Sequence, residues 1–333
     1  MSRPLLALAL LCGCSDTIAQ VIHGRSDVEP VNIFAASHPW TTAIASAEVD
    51  PRSDAMIAAL QAAGGWGTSN RFRIDFGAEV LTVAPDTPFR DFTPNGDFFD
   101  GCERVPFPLP IGGALADETG YRCTTDGDCF LLVVDPGKRK LYEMYRANFD
   151  GTTFSGGCAV VWDLAKTYGL YLRGKGCSSA EGGGLPLTPL LATADEVAAG
   201  AIAHALHLGI PNNRLRRGIY VSPASHSTNI TSAGPDGIPY GARLRLKVSF
   251  DVTRIASARG RVLARAMQQY GLFVASSGSV PLSVRSDRST KNKWATLGID
   301  ASTLEDLTPA DFEVLALGAP VDWLADSTCH RDP

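Results

Sequence analysis

The stretch DGDCFLLVVDPGKRKLYEMYRANFDGTTFSGGCAVVWDL, residues 126–164, decides the fold class of this chain. Phe130 to Asp135 and Lys140 to Tyr145 are short runs of apolar, β-branched and aromatic residues, separated by turn-forming or charged residues. This pattern predicts a β-hairpin, because such side chains suit a pleated surface and the Pro-Gly pair suits a turn. Cys158 to Leu164 extends the hairpin into a three-stranded meander.

The remaining patterns favour more strands than helices. Residues 242–252 alternate between apolar and polar side chains, which predicts an amphipathic strand. Apolar residues at helical spacing predict helices that begin near Asp50 and near Ala256, and a short one is expected after Thr193. Strands do not alternate with helices and phosphate-binding glycines, so a doubly wound fold is disfavoured. We predict a mainly β domain, a β-sandwich or jelly-roll-like fold with two or three peripheral helices.

The N-terminus has the features of an export signal. We assign residues 1–20 to a leader, residues 21–36 to a linker and residues 37–333 to a single β-rich domain. The apolar run from Leu5 to Leu11 follows a basic residue and is too short to span a bilayer as a helix.

The end of this leader offers two ways of processing. The tetrad LCGC at residues 11–14 resembles a bacterial lipobox, which implies lipid attachment at Cys14. Ordinary secretory cleavage near Ala19 is the alternative. In either case we expect an exported protein, in the cell envelope or outside the cell, whose only membrane contact is a lipid at Cys14.

The charge distribution argues against nucleic acid as a partner. The formal net charge is −5, and neither acidic nor basic residues form a long run. The only basic cluster is the short group at residues 214–217. Nucleic-acid binding normally needs a basic face, so we expect no nucleic-acid partner.

Six cysteines remain once the leader is removed. They are Cys102, Cys123, Cys129, Cys158, Cys177 and Cys329. An even number in an exported chain predicts disulfides, and the two cysteines that flank TTDGD at residues 124–128 are the easiest pair to imagine. The other pairings stay open. The spacing typical of zinc ligands is missing, and we expect neither a metal nor a cofactor.

Two histidines are the leading candidates for chemistry. His204 and His226 lie in or beside predicted strands that a short connection separates, so their side chains can converge. Imidazole is the usual proton shuttle near neutral pH. The alternative is that His204 is a hydrogen-bonded core residue and His226 a loop residue.

The meander adds two further candidates, Glu143 and Tyr145, which strand alternation places on one face. A Tyr with a His suits a polysaccharide lyase, in which a base takes the proton α to a uronate carboxylate while an arginine neutralises that carboxylate. A glycosidase needs two inward-facing carboxyl groups about 5–10 Å apart. The other carboxylates near the meander, which we rank below Glu143, are Asp126, Asp128, Asp135 and Asp163.

Three Gly-rich or aromatic motifs allow other interpretations. GCSSA at residues 176–180 loosely resembles a nucleophile elbow, but the glycines that follow disfavour the helix such an elbow requires. The three glycines at residues 182–184 indicate a turn close to other backbone. Trp66 lies between glycines and is the best candidate for an exposed platform that stacks on sugars, whereas Trp162 is expected in the core.

Several segments resemble a family of exported bacterial proteins, some of which carry an ATP/GTP-binding label without support. The similarity covers the chain from His38 to about Leu317 and is carried by HPWTTAIASAEVDPRS (38–53), LLVVDPGKRKLYEMY (131–145), AVVWDL (159–164), GLPLTPLLATADEVAAGAIAHAL (184–206), SPASH (222–226), RLRLKVSFDV (243–252) and residues 263–279. The resemblance implies a single secreted domain and no particular reaction.

The same resemblance implies a histidine where this chain has Phe130, and an acidic residue near Ser276 and Ser277. If those positions serve catalysis, this chain has reduced or lost activity. His204 and His226 match the pattern. Two functions therefore follow as hypotheses: an exported lyase or glycosidase that acts on extracellular polysaccharide, or a non-catalytic envelope or carbohydrate-binding protein.

Overall fold

The computed structural model describes residues 33–34, 38–125 and 127–331 of the chain. Strands account for 25% of the residues and helices for 14%, which confirms the predicted class of a mainly β domain with a few helices. Three α-helices are described, and they lie in the three stretches where helical spacing or a capping residue predicts them.

The described strands, in chain order, are β1 (Ile74–Ala78), β2 (Val80–Thr82), β3 (Phe89–Arg90), β4 (Thr93–Pro94), β5 (Phe107–Pro108), β6 (Leu131–Asp135), β7 (Lys140–Met144), β8 (Asn148–Phe149), β9 (Phe154–Gly156), β10 (Ala159–Asp163), β11 (Gly174–Lys175), β12 (Leu206–Gly209), β13 (Leu215–Tyr220), β14 (Ile238–Tyr240), β15 (Arg243–Leu246), β16 (Leu272–Ser276), β17 (Leu282–Arg285), β18 (Phe312–Val314), β19 (Val321–Asp322) and β20 (His330–Arg331). The helices are α1 (Ser53–Ala62), α2 (Ala194–Ala199) and α3 (Gly260–Gln269). Short 3-10 helices cover Pro39–Thr41, Thr68–Asn70, Thr188–Leu190, Val252–Arg254 and Pro309–Asp311.

The predicted meander forms the first of two four-stranded sheets, in the order β10-β7-β6-β2. β6 and β7 pair antiparallel with Val133 opposite Tyr142, and β10 pairs antiparallel with β7. β2 adds to the outer edge of β6 in parallel. Because the three meander strands are adjacent in sequence and in space, local patterning was enough to predict them.

Both faces of this sheet are buried. Leu132 and Val134 of β6 face the larger hydrophobic core, and Leu131 and Val133 face a smaller core on the opposite side. A strand that is buried on both faces is continuously apolar rather than alternating, which explains the run LLVV. The sheet is therefore an internal layer of the domain.

The second four-stranded sheet has the order β12-β16-β15-β18 and packs against α3. β15 ends at Leu246, so the strand predicted over residues 242–252 is too long by about half. The polar side of β15 is also not a solvent face. Arg245 is buried, its guanidinium lies 2.7 Å from the carboxylate of Glu313, and it donates to backbone carbonyls that include that of Ile44.

Three disulfides join the six cysteines. They are Cys102–Cys158, Cys123–Cys129 and Cys177–Cys329. The pairing predicted across the TTDGD turn is confirmed. It could be predicted because only six positions separate the two cysteines. The third disulfide ties the end of the chain to a loop 152 positions earlier, which sequence spacing does not reveal.

The predicted leader and the site of lipid attachment at Cys14 lie outside the described residues. Ile33 and Phe34 fall inside the predicted linker, yet both are buried, and the Phe34 ring packs edge-on against Trp40 at 5.2 Å. The packed part of the chain therefore includes these two residues. Within the described ranges, no helix has the length and apolar character that crossing a membrane requires.

Candidate functional site

A pocket of about 640 Å³ opens at the end of the meander sheet, where several segments of the chain meet. Its lining residues are 97–101, 128, 130, 145, 158, 176, 178–182, 226, 228–230, 240, 276–277, 323 and 327. Such a volume suits a ligand the size of one or a few sugar rings. We regard this pocket as the candidate functional site.

The loop at residues 176–184 forms one wall, and the fold holds it rigidly. Gly184 adopts a positive φ of 75°, and a Cβ there would lie 2.1 Å from Ser225 Oγ. Ser225 Oγ donates to the carbonyl of Cys177 across this turn, and the amide of Gly183 donates to Ala275 O. The glycine turn therefore lies close to other backbone, as its sequence predicts.

The same loop does not form a nucleophile elbow. Residues 181–187 contain no helix, and Cys177 is held in a disulfide. Ser178 Oγ donates to the carbonyl of Ser179, and Ser179 Oγ donates to that of Leu185 at 2.6 Å. Neither hydroxyl faces a base, so the structure removes the serine-hydrolase interpretation.

His226 lines the pocket in a defined protonation state. Its Nδ1 lies 2.9 Å from the carbonyl oxygen of Gly182, which can only accept, so Nδ1 carries the proton. Its ring packs edge-on against Trp323 at 4.9 Å. Burial lowers the pKa of His226 to about 4, so the imidazole is neutral at pH 7. Nε2 is the nitrogen left to accept a hydrogen bond from a ligand.

Two carboxyl groups line the pocket, those of Asp128 and Glu181, and the second affects the first. Asp128 is exposed at the edge of the pocket, yet the protein around its carboxyl group and then the charge of Glu181 raise its pKa to about 6. Glu181 is buried, and its Oε2 lies 3.4 Å from His207 Nε2. Ser276 Oγ lies 3.2 Å from the same nitrogen. The buried side chain of His207 therefore contacts two residues that line the pocket, Glu181 and Ser276.

Tyr145 also lines the pocket, beside Phe130 at a ring distance of 5.8 Å. Burial raises the pKa of its hydroxyl above the usual range, so this group is protonated at neutral pH. Phe130 thus occupies the wall of the pocket, as do Ser276 and Ser277.

Glu143, a predicted catalytic residue, lies in the core instead. It is fully buried and accepts hydrogen bonds from Trp162 Nε1 at 2.9 Å, the amide of Leu187 at 3.0 Å, and the amide and hydroxyl of Thr188, both at 2.8 Å. Burial raises its pKa to about 7 against the effect of these donors. The prediction of a catalytic role is corrected: Glu143 joins the meander to the neighbouring loop.

We expect Glu143→Ala to destabilise the fold by about 3 kcal/mol or more, because it leaves four buried donors without an acceptor. Urea denaturation followed by circular dichroism measures the change. Glu48→Ala is the matched control, since Glu48 is exposed and such changes usually cost less than about 0.5 kcal/mol. Equal midpoints for the two variants would contradict a structural role for Glu143.

His204 is likewise a core residue. It is fully buried, with Nδ1 2.8 Å from the carbonyl of Ala205 and Nε2 3.2 Å from Glu196 Oε1. Glu196 is itself the capping-box partner of Thr193 at the start of α2. His204 and His226 therefore do not converge, and the prediction that both serve catalysis is corrected for His204.

Trp66 is not an exposed platform. Its side chain is completely buried, and its Nε1 donates to the carbonyl of Leu307 at 2.9 Å. Phe72 and Phe312 pack edge-on against its ring, each at 5.1 Å. The glycines on either side of Trp66 therefore allow other residues to pack closely around its ring, and they do not indicate exposure. Trp162 lies in the core as predicted.

Three pocket residues that the sequence analysis missed carry buried polar atoms without a hydrogen-bond partner among the described residues. These atoms are Tyr240 Oη, Thr228 Oγ1 and Trp323 Nε1. Burying a polar atom without a partner costs about 1–3 kcal/mol, so such atoms mark places where a ligand supplies the partner. No sequence signal links them, because they come from three separate segments of the chain.

The charge of the pocket is one-sided. Asp97, Asp100, Asp128 and Glu181 line it, and none of the described lining residues is a lysine or an arginine. A metal site is not evident: in the described ranges one group of three ligand types comes together, Glu118 with Cys123 and Cys129, and the two sulfur atoms already form a disulfide.

Fold and site together define a mainly β, disulfide-bonded protein with an acidic pocket lined by aromatic side chains. No family model, curated protein or solved structure matches the chain.

Proposed function

We propose that this protein hydrolyses a glycosidic bond in the pocket, with Asp128 as the general acid. The observation that carries this proposal is the pair of carboxyl groups, Asp128 and Glu181, in one pocket with the pKa of Asp128 raised to about 6. Glycosidases use two carboxyl groups whose environments separate their pKa values.

The reaction balances with these two groups. The carboxyl group of Asp128 gives its proton to the leaving oxygen as the bond between that oxygen and the anomeric carbon breaks. Water adds to the anomeric carbon and loses a proton. Glu181 either takes that proton or first forms a bond to the carbon that water then hydrolyses, and the anomeric configuration of the product reports which.

Sugar binding is supported by the other groups of the wall. Trp323 and Tyr145 offer aromatic faces, and sugars stack on such faces through their apolar C–H surfaces. Neutral His226 accepts at Nε2, and Tyr240 Oη and Thr228 Oγ1 have unused hydrogen-bonding capacity. Sugar hydroxyls donate and accept, so they satisfy all three.

Hydrolysis is favoured over the lyase alternative by the charge of the pocket. A lyase acts beside a uronate carboxylate, which needs a cation to neutralise it. The described lining residues supply four carboxyl groups and neither lysine nor arginine. A uronate in this pocket would be repelled, at a cost that grows as water is excluded.

The non-catalytic alternative, a carbohydrate-binding protein, is favoured by one observation. Phe130 places an apolar ring against Tyr145, where the family resemblance implies a histidine. Under this alternative, sugars bind in the pocket and are not cleaved.

A screen of the purified protein against neutral, amino and uronate polysaccharides tests the proposal. We expect new reducing ends without the ultraviolet absorbance of an unsaturated product, and we expect Asp128→Asn protein, prepared in the same way, to produce none. Absorbance of a double bond would establish a lyase instead. Binding without turnover of any substrate would establish the non-catalytic alternative.

Export is part of this proposal. Three disulfides persist only in an oxidising compartment, which for a bacterial chain lies outside the cytoplasm. We propose that the leader directs export and that a lipid at Cys14 holds the protein at the cell envelope, where polysaccharide is present. Metabolic labelling with a fatty acid, compared with Cys14→Ser, tests the anchor.

A further inference from the structure

We propose that the sugar in this pocket carries a protonated amine, as glucosamine units without an acetyl group do. The inference rests on the proposed function for its site and deepens it by naming the substrate class. It follows from three independent features of the wall: its charge, its aromatic faces and one buried hydroxyl group.

The first feature is an excess of negative charge. The exposed side chain of Arg146 partly offsets two of the four carboxyl groups: its Nη1 lies 3.4 Å from Asp97, and its charge opposes the rise in the pKa of Asp128. Glu181 lies beside His207. Asp100 is exposed at the mouth and makes no ion pair or hydrogen bond with the residues that the structure describes. Burial is the main cause of the raised pKa of Asp128, and the negative charge of Glu181 raises it further because the two carboxylates repel each other. A cation in the pocket relieves this repulsion, and a neutral or anionic ligand does not.

The second feature is the set of aromatic rings beside these carboxylates. Phe98 and Tyr145 line the pocket but already have arginine side chains over their rings, Arg104 at 5.1 Å and Arg146 at 5.7 Å. The lining rings without such a cation are Phe99, in the same loop as Asp97 and Asp100, and Trp323 on another wall. The negative faces of aromatic rings attract ammonium groups, and this attraction grows as water is removed. Rings and carboxylates together therefore favour a ligand that combines an ammonium group with an apolar ring surface.

The third feature distinguishes a sugar from a simple amine or a basic peptide. Tyr240 is almost entirely buried and lines the pocket, yet its hydroxyl has no hydrogen-bond partner among the described residues, although the hydroxyls of Ser277 and Thr228 are near. A buried hydroxyl at the wall needs a polar partner from the ligand. A ligand with ring hydroxyls and one ammonium group satisfies Tyr240 and the carboxylates together.

The test compares two sets of oligosaccharides of equal length and linkage, one of glucosamine and one of N-acetylglucosamine. Titration calorimetry at about pH 6, where the amine is protonated, measures their dissociation constants. We expect the glucosamine set to bind at least about tenfold more tightly at low salt. The preference shrinks as salt is added, because surface charges are screened within about 10 Å at 0.1 M.

Two variants locate the effect. We expect Asp100→Asn to reduce the preference for glucosamine by about threefold to fivefold, as loss of one partly exposed charge implies. Asp86→Asn makes the same change in net charge at an exposed turn outside the pocket and leaves the preference unchanged. Because Asp100 is exposed, its replacement leaves the fold intact.

The outcomes separate this inference from the proposed function. Equal or tighter binding of the acetylated set, or equal effects of the two variants, overturns the amine preference even if hydrolysis is observed. Tight, salt-sensitive binding of glucosamine oligosaccharides without any turnover keeps the inference and overturns hydrolysis. Binding of neither set overturns the amine preference, whereas hydrolysis is then decided by the screen against neutral polysaccharides.

Discussion

Replacing Asp128 with asparagine is expected to lower kcat by about 10²–10⁴-fold, the usual contribution of a general acid. Asparagine has the same shape but holds no transferable proton, so the leaving oxygen departs without protonation. Substrate binding is expected to weaken by no more than about threefold to fivefold, as for Asp100→Asn, because Asp128 is one of four carboxyl groups in the pocket. The measurement is the initial rate of reducing-end release together with a binding constant for the same oligosaccharide.

The pH profile supplies the specific signature. A general acid works in its protonated form, and the pKa of Asp128 is raised to about 6. We therefore expect kcat to be highest below pH 6 and to fall as the pH rises through that value. Asp86→Asn, the control in the exposed turn, is expected to keep both the rate and the profile. An Asp128→Asn variant with the full rate would remove Asp128 from the mechanism.

The second large effect concerns the disulfide between Cys177 and Cys329. Replacing both cysteines with alanine is expected to destabilise the protein by about 5 kcal/mol, since the loop between them spans 152 positions. The same change at Cys123 and Cys129, six positions apart, is expected to cost about 2 kcal/mol. The difference arises because a longer loop gives the unfolded chain more freedom when it is opened.

The long disulfide also supports the pocket. Cys177 lies in the wall loop between Gly176 and Ser178, both of which line the cavity. Loss of this disulfide is therefore expected to weaken sugar binding at temperatures where the domain is still folded. Urea denaturation and calorimetric binding measure the two effects. Equal destabilisation by the two double variants would contradict the loop-length argument.

The parts of the fold that could be predicted from the sequence depend on near neighbours in the chain. The meander strands follow one another directly in the chain. The Thr193 side chain caps α2 by accepting a hydrogen bond from the amide of Glu196, three residues later. Cys123 pairs with Cys129 across one turn. The strand predicted to Val252 failed because its end is set by a distant partner: the amide of Lys247 donates to the carbonyl of Asp311.

The candidate site was only half predictable for a related reason. Four residues were proposed from their chemistry, and the structure places His226 and Tyr145 in the pocket but Glu143 and His204 in the core. A polar residue in a buried strand has the same local sequence whether it satisfies core donors or faces a ligand. Which role it takes depends on what packs against it from elsewhere in the chain.

The sequence by itself determined the mainly β class, the meander, the short disulfide and the presence of a few polar residues suited to acid–base chemistry. Tertiary structure alone decided which of them meet. Asp128, Glu181, His226 and Tyr240 come from four separate segments, and their shared pocket, its charge and the raised pKa of Asp128 arise only after folding. The physical reason is that burial and neighbouring charge act through space, whereas patterns in a sequence report mainly contacts that are close along the chain.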